Sequence, residues 1–332
     1  MYIFYITIVL QSGGLAFTRG ISTITLYILE SAFIGSVNLF MLISGYYMTD
    51  KKCISVWKAM NLLIEVSIFK VIEYFVALFI SGDKFQFACL IKGLIPSNQF
   101  VNLYITVYFL SPFIAHFARG LSAKNFKKFL FLSIVLFSMV PTIFDLLVNT
   151  FGWGIGTIWT VTVSGAVGGY TIVNYILMFL VGMYLKRFSA DRIQQSPLFQ
   201  LIICVGLIFL WSIGQQLVSG KGPAWSYCNP LIIWLAVLWF FLFKSMTLQS
   251  GIVNIAAKSV FVMFLIHKDF FSYIDVKRYA SSNWFVMLLH ILISGISIYT
   301  ISWCVWFAYS HTVEKWLNLL ESRNKLIISC ED

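Results

Sequence analysis

A chain of 332 residues that is 60% hydrophobic and only 11% charged, with a mean hydropathy of +0.87, has too little polar surface to cover a water-facing globule. A soluble domain carries roughly 25% charged residues, so a soluble enzyme is excluded. The net charge of +10 does not indicate nucleic-acid binding, because Lys and Arg are scattered between apolar runs and form no basic stripe.

The pattern reads as an all-α, polytopic integral membrane bundle of about ten transmembrane helices. Apolar runs fall at about 3–18, 22–48, 57–80, 99–118, 129–149, 171–185, 199–218, 228–243, 259–273 and 284–308. The first run starts almost at Met1 and is interrupted by Gln11-Ser12-Gly13-Gly14, so the chain is expected to lack the start of its first helix. The second run holds Glu30, Asn38 and Ser44, which lie within an arc of about 120° on one side of the helix and should face the bundle interior. The third run carries Glu65, Lys70 and Glu73, of which Lys70 and Glu73 are spaced to pair on one helix.

Asp145 falls near the outer end of the fifth run, just beyond Pro141, and is expected at the interface. Segment 150–170 is uncharged and glycine-rich, a loop or a re-entrant segment. His267 closes the run Phe261–Ile266 ahead of Lys268 and Asp269, at a span end where an imidazole can reach water. His116, His290 and His311 read as incidental. The main membrane domain is predicted to span 1–310. Residues 311–332 form a cytoplasmic tail, with Val313, Trp316, Leu317 and Leu320 as the apolar stripe of an amphipathic helix.

Alternate connections give the orientation. Of the 23 basic residues, one set of loops with the tail holds 15, the opposite set holds 7, and Lys70 lies within a span. This bias places both termini in the cytoplasm, as an even number of spans requires. Six cysteines show no CxxC or Cys/His spacing, and no metal motif, phosphate loop or Ser/His/Asp order appears. A charge near the bilayer centre costs at least ~2.5–3.5 kcal/mol, so Glu30 and its polar neighbours require a use or a packing partner.

Val37–Tyr47, reading VNLFMLISGYY, resembles the second-span signature of the bacterial membrane acyltransferase 3 family, in its polysaccharide O-acetyltransferase branch. Glu30 stands before the motif and Lys51-Lys52 after it, as in that branch. Tyr104–Phe113 with the downstream Leu121–Lys128, Gly169–Tyr184 and Ser259–His267 resemble further family segments in the same order, so the likeness covers roughly 10–310. The resemblance implies acyl transfer from cytoplasmic acyl-CoA, usually acetyl-CoA, to a hydroxyl of a capsule, exopolysaccharide or lipid-linked glycan precursor. It implies a bacterial cytoplasmic membrane and no bound cofactor.

Such a reaction needs a general base for the hydroxyl proton and a donor for the oxyanion. The family supplies the base as a first-span histidine, yet Tyr2–Gly14 contains no His, Arg or Lys. Gln99 and Asn174 also stand where the branch has tryptophan. Glu30 and His267 are therefore the candidate catalytic residues. Asn38, Ser44, Tyr46 and Tyr104 are candidates for substrate or donor binding. Alternatives are a catalytically degenerate or truncated family member, or a polysaccharide polymerase or flippase. A polymerase would carry an arginine-rich outer loop, and 150–170 holds no charge.

Overall fold

Pro, Gly and Asn punctuate a chain that is otherwise helical in nearly every part of the computed structural model, which describes residues 14–82, 84–151, 167–188, 197–218, 223–246, 250–267, 274–323 and 327–329. Residues 1–13 of the first run, the glycine-rich 152–166, and Arg192, Lys221, Lys268 and Asp269 lie outside these described residues. The helices are α1 (Ile21–Phe33), α2 (Ser36–Met48), α3 (Val56–Ser81), α4 (Phe87–Leu94), α5 (Gln99–Gly120), α6 (Ala123–Ile134) and α7 (Val140–Phe151). They continue as α8 (Ile172–Phe188), α9 (Pro197–Val218), α10 (Pro230–Ser245), α11 (Gly251–Lys258), α12 (Val260–Ile266), α13 (Val276–Ala280), α14 (Trp284–His311) and α15 (Val313–Arg323). Among the described residues, strand structure is confined to two three-residue pieces, Cys53–Ser55 and Ile327–Ser329.

The protein is an all-α membrane bundle. Among the described residues, six helical stretches are long and apolar enough to cross a bilayer: 21–48, 87–120, 123–148, 197–218, 223–245 and 284–311. Their outer faces stay uncovered, with Phe131 68% and Leu217 82% exposed, a surface that suits lipid and not water. Three other predicted runs also form helices. At 26 residues α3 is about 39 Å long, but it carries Lys58, Glu65, Lys70 and Glu73. At 17 residues α8 is short for a span, and the apolar stretch Val253–Ile266 is shorter still.

Contacts divide the chain into two units. The first comprises 1–25, 55–105 and 248–328. Within it, α3 packs on α4, α12 and α15, while α14 packs on α12, α13 and α15. Gly82 ends α3 in the left-handed conformation (φ +69°), its N–H donating back to the Leu78 carbonyl. Phe69 of α3 meets Tyr309 of α14 with ring centroids 5.6 Å apart. The tail helix α15 buries Leu317 while Trp316 stays 60% exposed, and its Glu321 accepts a hydrogen bond from Ser55 at 2.9 Å.

The second unit comprises 26–54, 106–247 and 329–332. Its centre is the pair α2 and α8, which approach so closely that only glycine fits at two places. A Cβ on Gly45 would stand 2.0 Å from the Phe179 carbonyl oxygen, and one on Gly182 would stand 2.0 Å from the Leu42 carbonyl oxygen. Asn38 meets Asn174 near the helix starts and Tyr46 meets Lys186 near the ends, so α2 and α8 run parallel. Along the other side of α2 lies α10, with Leu235 against Gly35 and Phe240 against Tyr46. It begins with Asn229 as N-cap, whose side chain accepts from the Leu231 N–H, followed by Pro230 in the first turn. Between α6 and α7 the backbone widens into a π turn at Val135–Met139, just before Pro141, which has no N–H to return to the helix.

Candidate functional site

The starts of α2, α8 and α10 gather around the segment 223–229. Tyr227 donates its backbone N–H to the Gly168 carbonyl at 2.7 Å. Gly169 follows at φ +81°, where a Cβ would lie 2.4 Å from the Cys228 nitrogen, so residues 168–169 and 227–228 can lie together only without a side chain at 169. From the other side, Asn38 donates its amide to the Tyr227 carbonyl at 2.8 Å and Asn174 donates to Asn38 Oδ1 at 2.9 Å. The π turn aims Ser138 at the same segment, where its hydroxyl donates to the Cys228 carbonyl.

Aromatic rings line this end. Tyr170 lies 5.6 Å from Tyr175 and 5.4 Å from Tyr227, and Tyr27 lies 5.0 Å from Trp225. Burial pushes the Tyr170 phenol up to about 12, partly opposed by its hydrogen bond with Tyr175, so it remains a neutral donor at physiological pH.

Glu30 is 1% exposed and lies within electrostatic reach of Tyr227. Neither of its carboxyl oxygens has a hydrogen-bond partner among the described residues, and the same holds for Ser31 Oγ, Thr142 Oγ1, Asn174 Oδ1 and Trp225 Nε1. Each such buried group costs ~1–3 kcal/mol when it stays unsatisfied, so these acceptors, hydroxyls and the indole N–H are suited to a hydrogen-bonding ligand or bound water. Three helix starts at this end add positive potential that favours a negative charge.

The far ends of α8 and α10 are basic, with Lys186, Arg187 and Lys244 in their last turns, and Lys51-Lys52 follow the end of α2. Tyr46 sits beneath two ammonium groups, Lys186 Nζ at 5.1 Å and Lys244 Nζ at 5.7 Å from its ring centroid. Arg119 donates to the Thr49 carbonyl at 3.1 Å, and Arg187 donates to the carbonyls of Ala118 and Leu121, so both guanidinium groups are fixed at this end. These cations come from connections that the sequence assigns to the cytoplasmic side.

The predicted polar stripe survives only in part. Ile34 and Gly35 interrupt the helix, with Gly35 at φ −74° and ψ 3°, so Glu30 ends up on α1 while Asn38 and Ser44 ride on α2. Glu30 and Asn38 are both buried at the 223–229 end. Ser44 is only half-buried and donates to the Phe40 carbonyl of its own helix at 2.9 Å, away from the polar group. Tyr46 is buried, at the basic end. Asp145 is 6% exposed and within electrostatic reach of Cys228, so it belongs to the buried polar end and not to an open interface.

The other two candidates belong to the first unit. His267 is 1% exposed, not wetted as its place at a span end suggests. Its Nδ1 donates to the Phe264 carbonyl at 2.6 Å, which in the neutral ring leaves the lone pair on Nε2. Tyr104 stacks on Phe100 at 6.5 Å, Phe100 meets Phe264 at 4.7 Å, and Phe264 meets His267 at 5.8 Å, so an aromatic ladder joins Tyr104 to the histidine. Lys70 and Glu73 form the expected pair at 2.6 Å, half-buried and internal to α3. Tyr227, Trp225, Thr142 and Ser138 escape a sequence reading, because their neighbourhood is made by contacts between residues far apart in the chain, such as that between Ser138 and Cys228, 90 positions apart.

Comparison with family models, with curated proteins and with solved structures finds no match to this chain.

Proposed function

We propose that the chain is a membrane-bound O-acyltransferase of about ten spans in the bacterial cytoplasmic membrane, with both termini cytoplasmic. It moves an acyl group, acetyl in the simplest case, from cytoplasmic acyl-CoA to a hydroxyl of a cell-surface polysaccharide or its lipid-linked precursor. The observation that carries this reading is the chemical division between the two ends of α2, α8 and α10. Lys186, Lys244, Arg119 and Arg187 form a basic end suited to the phosphates of an acyl-CoA. The opposite end buries a carboxyl group among unsatisfied donors and acceptors, the complement of a polyhydroxylated acceptor. At 13 residues α2 is about 20 Å long, the distance that the thioester arm has to bridge.

In this scheme the Glu30 carboxylate takes the proton of the acceptor hydroxyl, whose oxygen forms the new bond to the thioester carbonyl carbon. The carbonyl oxygen gains negative charge, which buried hydroxyl and N–H donors stabilise. Its collapse breaks the C–S bond, and the departing thiolate takes up a proton. His267, with its Nε2 lone pair, is the second candidate base.

The test is the O-acetyl content of surface polysaccharide, read by proton NMR from cells with and without the chain, at matched membrane levels. An acetyl signal that depends on the chain is expected. Glu30→Gln, which keeps the side chain's shape, should lower it about 100-fold or more. Absence of any chain-dependent acetyl with the protein inserted overturns the acyltransferase reading. Full activity in Glu30→Gln moves the base elsewhere, and His267→Gln then asks whether it is the histidine.

A further inference from the structure

The first unit holds a cavity of about 580 Å³ that plays no part in the scheme above. Glu65 of α3, Glu314 and Asn318 of α15, Lys258 at the end of α11, Trp306 of α14 and Asn61 line it. Glu314 lies within electrostatic reach of the largely buried Glu65. Lys258 nevertheless forms no ion pair with either, the Lys70–Glu73 pair being the one such contact among the described residues. Asn61 Oδ1 is buried there with no hydrogen-bond partner among the described residues. Three acceptors, two of them carboxyl groups, thus line a chamber whose nearest donor to the carboxyl groups is the neutral Tyr309 hydroxyl, within electrostatic reach of both.

A second, apolar cleft of about 300 Å³ lies along the same two helices, lined by Ile255, Ala256, Tyr299, Thr300 and Trp303. The Tyr299 hydroxyl donates to the Ala256 carbonyl at 3.2 Å and ties α14 to α11 at its floor. Trp303 lies three residues from Trp306, about 4.5 Å along α14, and Ala256 lies two residues from Lys258. The polar chamber is therefore followed, one turn along α14, by an apolar groove. The polar end adjoins the amphipathic helix α15, where a lipid headgroup region meets protein.

We propose that this chamber and groove form a binding site for one phospholipid with a primary ammonium headgroup, of the ethanolamine type. The ammonium has three N–H donors, which match Glu65, Glu314 and Asn61 Oδ1. A choline headgroup has none and leaves Asn61 unsatisfied, while a headgroup with net negative charge brings no cation to the two carboxyl groups. Lys258 and the Asn318 amide serve the phosphate. His311 does not, because its Nδ1 donates to the Phe307 carbonyl at 2.9 Å. An acyl chain lies on Ile255 and Trp303.

The experiment uses the full chain in mixed micelles holding equimolar ethanolamine, choline and glycerol phospholipids with identical acyl chains, and native mass spectrometry counts the lipid retained. The ethanolamine lipid should be retained at least tenfold over the other two. A series with one, two and three N-methyl groups should lose retention stepwise as N–H donors disappear, a readout that needs no variant. Glu65→Gln with Glu314→Gln should bring ethanolamine retention down to the choline level at unchanged monodispersity, and Lys258→Gln should weaken all phospholipids together. Equal retention of the three headgroups, or a flat N-methyl series, overturns the proposal. So does undiminished selectivity in the folded double variant. None of these outcomes depends on whether the chain transfers acyl groups.

Discussion

Asn38 and Ser44 show how differently two polar residues on one helix are used. The Asn38 amide bridges a backbone carbonyl of the 223–229 segment and the side chain of Asn174, at 1% exposure. Asn38→Ala leaves the Tyr227 carbonyl and the Asn174 amide unpaired, and should lower stability in detergent by ~1–3 kcal/mol. Ser44 bonds to its own helix, so Ser44→Ala should stay within ~0.5 kcal/mol. Thermal unfolding of the two variants side by side checks the ordering, and equal losses would mean that the Asn38 bridge does no structural work. Helical spacing made both residues visible in the sequence as one stripe. It could not register that Gly35 ends one helical segment, nor that the buried face of α2, made of Asn38, Met41, Leu42, Gly45, Tyr46 and Met48, passes Ser44 by. Glu30 and His267 were likewise legible as polar residues in apolar runs. Their burial at 1% was not, because burial is conferred by partners distant in sequence.

Between elements, the tightest constraint is the crossing of α2 and α8. The two glycines are 137 positions apart in the chain, and nothing local to either says that the other faces it; each carbonyl occupies the space that the other helix's Cβ would take. Gly182→Ala or Gly45→Ala must push the helices apart or bend one of them, a cost of typically ~1–3 kcal/mol and at times more. On α9, by contrast, a Cβ at Gly206 would meet nothing within 4 Å. Gly206→Ala should therefore be neutral or stabilising by up to ~1 kcal/mol through reduced chain entropy. Unfolding midpoints of these variants at equal detergent concentration decide the matter: a destabilised Gly206→Ala alongside an unaffected Gly182→Ala would reverse the packing order described above. The parallel course of α2 and α8 matters beyond stability, since it brings two helix starts to the polar end and, to the other, the basic end of α8 together with the end of α2 that Lys51-Lys52 follow.

At the scale of the whole chain, the distribution of basic residues was the most readable feature of all, because it depends on position along the sequence and not on tertiary contacts. In the second unit it reappears as geometry: Lys186, Arg187, Arg119 and Lys244 stand at the closing ends of their helices, whereas the 167–171 and 223–229 segments at the opposite end carry no Lys or Arg. The number of spans was less legible. Apolar runs alone do not distinguish a helix of 17 residues, such as α8, from a full crossing, and α3 offsets its length with charge. Orientation can be tested without resolving that count. Cys53 is exposed and follows Lys51-Lys52 at the basic end, while Thr150 is exposed at the close of α7, beyond the buried Asp145 of the polar end. In a chain retaining Cys53 alone, a membrane-impermeant maleimide should label only after permeabilisation. In a chain whose one cysteine comes from Thr150→Cys, it should label intact cells. The reverse pattern would place the basic end outside, where no acyl-CoA is available, and would remove the premise of the donor site along with the orientation.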